Sequence, residues 1–102
     1  MTEFSHEARL ELDAAADHYE RDYPGRGFRF YDAVERAVRF IGMMPHTAPL
    51  YPGVPEELEV RRRLVRGFPF ALAYRVVGDV VRVEALAHTH RRPGYWLPRV
   101  LR

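Results

Sequence analysis

Cysteine and lysine are both missing from this chain of 102 residues. Without cysteine there is no disulfide framework and no thiolate zinc site. Long apolar runs are missing too: none approaches the roughly 18 residues that a membrane-crossing helix needs. The opening residues, Met1-Thr2-Glu3-Phe4-Ser5, lack the basic start and greasy stretch of a secretory signal. A cytoplasmic setting with no membrane partner is therefore expected. Metal ligands are scarce as well. His88 and His90 are close in sequence, but no further ligand has the spacing to complete a site, so no metal and no cofactor are expected.

With lysine absent, every one of the 16 basic side chains is arginine, and their placement is uneven. Residues 1–60 hold six arginines against twelve acids, a balance of −6. Residues 61–102 hold ten arginines against two acids, a balance of +8. Such a split suits a positive surface on the C-terminal half, matched to phosphates or to an acidic partner. The plainer reading is two solvated faces of opposite sign.

The length suits one domain, residues 1–102, with a single modest core. Ser5 can cap a helix with Glu7 in its first turn, and Ala8, Leu12, Ala15, Ala16 and Tyr19 then recur at helical spacing until Tyr23-Pro24-Gly25. Phe30, Tyr31, Val34, Ala37, Val38 and Ile41 make a second stripe, bounded by Gly42 and Pro45. Two amphipathic helices with a tight link form an αα-hairpin. Residues 45–57 carry four prolines and a glycine and read as a stiff loop.

After the loop the period changes from 3.6 to 2. Residues 58–66 suit a strand with a bulge near Leu64, and Met1 to Phe4 suit a short extra one. Phe70 to Val77 and Val80 to His88 flank Gly78-Asp79, a two-residue hairpin turn. Unbroken alternation would place Phe70, Leu72, Tyr74, Val76, Val81, Val83, Ala85 and Ala87 on one face, beneath the helices. Ala71, Ala73, Arg75, Arg82, Glu84, Leu86 and His88 would then form an opposite, open face. On that face Arg75 opposes Arg82, an unfavourable like-charge pair that Glu84 can offset diagonally. At least one of Arg61, Arg62 and Arg63 reaches the same side. The expected architecture is α+β: an N-terminal two-helix hairpin on one face of a small antiparallel sheet. The stretch "HTHRRPGYW", residues 88–96, would lie at the rim of the open face as a working surface.

The ordered phrases Ser5-His6-Glu7-Ala8, Phe68-Pro69-Phe70, Ala73-Tyr74-Arg75-Val76 and His88 through Trp96 resemble the RelE/ParE superfamily, the toxin halves of bacterial type II toxin–antitoxin pairs. The resemblance covers nearly the whole chain. It implies the same two-helix-on-sheet fold, a cognate antitoxin as partner, and one of two targets. RelE-like members cut messenger RNA on the ribosome, and ParE-like members poison DNA gyrase.

For the ribonuclease branch, the resemblance matches Arg91 to a phosphate-assisting arginine and Tyr95 to a tyrosine near the C-terminus that does chemistry or stacks on a base, with Trp96 as a second candidate. Chemically, His88 can move a proton near neutral pH, and Tyr95 can do so if nearby arginines lower its pKa. Arg61, Arg62, Arg63, Arg75, Arg82, Arg92 and Trp96 complete the surface expected to meet nucleic acid or another target. Two departures weigh against cleavage. Arginine stays protonated and is a poor base. An arginine of the nuclease branch is replaced here by Ala71. The preferred reading is thus a ParE-like gyrase toxin that performs no chemistry. The alternatives are a RelE-like, metal-independent endoribonuclease and a non-toxic basic RNA-binding domain.

Overall fold

Ser5 joins the two halves of the molecule. A computed structural model describes residues 1–102. In it the Ser5 hydroxyl accepts from the Ala8 amide at 3.1 Å and donates to the Glu84 carbonyl at 3.2 Å. One side chain thus caps α1 (His6–Asp22) and fastens its start to the sheet. Before it runs β1 (Thr2–Phe4); after the turn at Gly25 comes α2 (Arg26–Met43). The loop contains a single 3₁₀ turn, Glu56–Leu58, and leads into β2 (Arg61–Val65), β3 (Phe70–Val77) and β4 (Val80–His88). A short α3 (Leu97–Leu101), absent from the sequence reading, closes the chain.

The helices meet closely. A Cβ added to Gly27 would stand 2.7 Å from the Ala16 carbonyl oxygen. Across the same contact the Glu20 carboxylate accepts from the amides of Gly25 and Gly27 at 3.1 Å, capping α2 in place of its own N-cap side chain.

The sheet runs β1-β4-β3-β2. The β3–β4 and β2–β3 pairs are antiparallel as expected, but β1 lies parallel to β4, so the sheet is mixed. β2 has no bulge: its register is continuous from Arg61 opposite Tyr74 to Val65 opposite Phe70, and Leu64 is simply exposed. The irregularity falls in β4. Tyr74 pairs with Val83 but Ala73 with Ala85, which leaves Glu84 as an extra residue.

That extra residue shifts the side-chain parity by one. Up to Val83 the expected faces hold, and Arg75 lies opposite Arg82. Beyond Glu84 they exchange. Leu86 joins Leu72, Tyr74, Val81 and Val83 in the core under α1 and α2, while Ala85 and Ala87 turn to the other side. His88 turns with Leu86, its ring 5.1 Å from Phe70. Nor is the second face open. Val60, Ala73, Ala85, Ala87, Trp96 and Val100 form a second, smaller core there, with Tyr51, Val54, Leu58, Tyr95 and Leu97 packed against it.

Candidate functional site

Ala73, Ala85 and Ala87 leave a hollow on the second face, and the Trp96 indole fills it, with Tyr51 edge-on at 5.0 Å. Trp96 is only 1% exposed. Expected as a surface aromatic, it is a buried side chain of the second core.

The segment that carries Trp96 is held down by one carboxylate. Glu11, on α1, accepts from the Tyr95 hydroxyl at 2.5 Å, from Arg99 at 2.9 and 3.0 Å, and from the Leu86 amide at 3.1 Å. The Leu86 amide lies on β4 past the point where β1 stops, so Glu11 and Arg99 seal an otherwise unpaired sheet edge. Burial, and then the bond to Glu11, push the Tyr95 phenol well above its ordinary range. Arg91 and Arg99 pull the other way and are outweighed. The condition for Tyr95 to exchange a proton near neutral pH, a pKa lowered by nearby arginines, is therefore not met. Its own bonds to the Glu11 carboxylate raise Arg99.

Arg75 and Arg82 are likewise occupied. The bulged Glu84, 2% exposed, accepts from Arg75 at 2.8 Å and lies 3.4 Å from Arg82, which also pairs with Glu3 at 3.1 Å. The like-charge conflict read from the sequence is settled by the carboxylate inserted beside it.

β2 divides its arginines by parity. Arg62, paired with Ala73, faces the second side. Arg61 and Arg63 face the helices: Arg61 donates to the Ala48 carbonyl at 2.7 Å, and Arg63 stacks 3.7 Å above Phe40. Arg62, Arg66, Arg91 and Arg92 make no ion pair. Arg62, Arg91 and Arg92 line a cavity of about 110 Å³ that His88, Thr89, Tyr51 and Tyr95 also border. His88 is engaged on one nitrogen, its Nδ1 accepting from the His90 amide at 3.1 Å. No cluster of side chains able to hold a metal ion is present.

Residues 2–93 match the family described as the ParE toxin of the type II toxin–antitoxin system, parDE. The chain belongs to the ParE toxin family. Among solved structures it is similar to a chain of the chromosomal ParDE TA system from P. aeruginosa, with a TM-score of 0.72 and 23% identity over 87% of this chain and 95% of that one. At that identity the likeness is one of fold. Among curated proteins none matches.

The stretch that matches ParE includes Arg62, Arg66, Arg91 and Arg92, whereas Tyr95, Trp96 and Arg99 lie beyond its end. Sequence reasoning missed Glu11, Arg66 and Arg99. Arg66 adjoins the arginines of β2 and was discoverable by charge alone. Glu11 sits on a polar helix stripe and carried no signal, because its partners lie 75 to 88 residues away.

Proposed function

We infer that this ParE-family chain is the toxin of a toxin–antitoxin pair in the cytoplasm, and that it acts on DNA gyrase through its surface without chemistry of its own. The observation that carries this reading is the state of Tyr95. A tyrosine that serves RNA cleavage needs a proton it can exchange near neutral pH. Here the hydroxyl donates to Glu11 and burial holds the proton tightly. Two further features agree. Ala71 is fully buried where the nuclease branch carries an arginine. The cations of the β3–β4 hairpin are neutralised by Glu84 and Glu3 instead of facing a phosphate.

The partner is a cognate antitoxin whose acidic, initially disordered segment folds onto this basic protein. Induction without that antitoxin tests the reading. Filamentation, a DNA-damage response and intact transcripts are expected, together with inhibition of purified gyrase. Rapid translational arrest with cut transcripts would overturn it in favour of the ribonuclease. Unaffected growth would favour a non-toxic RNA-binding protein.

A further inference from the structure

Two cavities adjoin at the end of the sheet where β4 stops. The smaller is lined by Arg62, Arg91 and Arg92, and a larger one of about 640 Å³ by Arg62, Arg63 and Arg66. Arg62 and Thr89 border both. Neither contains an aspartate or glutamate, although the chain has 14 acids. Elsewhere the C-terminal arginines are matched to carboxylates: Arg75, Arg82, Arg99 and Arg102 all have acidic partners. Of the six left without one, Arg61 donates to a carbonyl and Arg63 lies over Phe40, and the other four, Arg62, Arg66, Arg91 and Arg92, converge here.

Their mounting is informative. Arg62 lies 5.8 Å from the centre of the Tyr51 ring and Arg91 4.1 Å from that of Tyr95. A guanidinium held by its face keeps its N–H edge free, and that edge matches phosphate oxygens. The same guanidinium groups lie over the two tyrosine rings, and Trp96 is buried, so little aromatic surface is left on which a base could lie. The site offers forks for phosphates more than platforms for bases.

We propose that Arg62, Arg66, Arg91 and Arg92 form a track for the sugar–phosphate backbone of a nucleic acid, gripped without base readout and left uncut. Four cations spread over two joined cavities fit a series of phosphates better than one carboxylate. The inference goes beyond the gyrase reading and does not require it; where both hold, the toxin meets gyrase with nucleic acid already against it.

Fluorescence anisotropy of the full chain with labelled duplex DNA, single-stranded DNA and RNA tests this and distinguishes the source of the phosphates. With four cations engaged, the slope of log affinity against log salt on the duplex should be about −3.5, so binding weakens about a hundredfold between about 50 and 200 mM salt. The double variant Arg66→Ala/Arg92→Ala alters exposed side chains. It should flatten the slope by about 2 and cut that weakening to about tenfold. Arg21→Ala/Arg29→Ala removes the same charge from exposed helix positions and should leave binding unchanged. Circular dichroism confirms that each variant is folded. Saturable binding to none of the nucleic acids at low salt, equal loss in the two double variants, tighter binding of a polyglutamate peptide than of any nucleic acid, or cleavage of the RNA would each overturn the proposal. Gyrase inhibition measured on the same proteins keeps the two ideas apart. Inhibition without nucleic-acid binding sinks the track and leaves the gyrase reading; binding without inhibition does the reverse.

Discussion

Tyr95 lets a single side chain report on the whole C-terminal segment. Its proton is held more tightly in the folded chain than in the unfolded one, whose tyrosines titrate near the ordinary value of 10.0. The unfolded state therefore loses that proton first as pH rises. Stability from this group is complete below pH 10 and declines above it. In a spectrophotometric titration, the Tyr95 phenolate should appear only together with unfolding, and Tyr95→Phe should make the alkaline loss of stability shallower. Glu11→Ala removes the acceptor for four hydrogen bonds at once and strands Arg99 against the sheet edge. It should lower unfolding free energy by about 2–4 kcal/mol in urea titration, the range for orphaning a partly buried charged network. Glu84→Ala should have a comparable effect of about 3 kcal/mol, because Arg75 and Arg82 then face each other with no buried counter-charge.

For whole elements, the balance between propensity and packing is visible at Gly27. Alanine is favoured over glycine in a helix by about 1 kcal/mol. Its methyl group, however, would collide with the Ala16 backbone, which cannot swing aside. Overpacking typically costs about 1–3 kcal/mol. Gly27→Ala should thus be net destabilising by up to about 2 kcal/mol and lower the melting temperature. Both long helices, the proline-rich loop and the β3–β4 turn were legible in the sequence, since each is written in local periodicity, caps or turn residues. The bulge at Glu84 was not. Val80 to His88 alternates without a break, and the residue that slips is the one whose charge is wanted between Arg75 and Arg82. From that single slip followed the misplacement of Ala85, Leu86, Ala87 and His88. The β2 arginines were legible as a group but not by face, because Val60, Leu64 and Val65 pulled the register both ways. α3 was illegible for another reason: Leu97–Leu101 is too short for a helical period to show, and it is held by the second core and by Glu11 more than by its own propensity.

For the molecule as a whole, the second core decides how the C-terminal segment behaves. Trp96→Ala would leave the hollow over Ala73, Ala85 and Ala87 unfilled, and should reduce stability by about 3–5 kcal/mol in denaturant titration while exposing surface that binds a hydrophobic dye. The arginine track, mounted partly on Tyr95, should weaken with it. The most distant pairings in the chain carry a further consequence. β1 lies parallel to β4, with Thr2 beside Val81, and Glu7 is tied to Arg102. On a ribosome, the first strand to emerge has no neighbour until residue 83 has been made. The two helices are complete in sequence by residue 43 with their apolar stripe uncovered, and the cationic half, residues 61–102, arrives last. A folded toxin cannot exist before then, so its harmful form and the basic surface an acidic inhibitor would seize become complete at nearly the same moment.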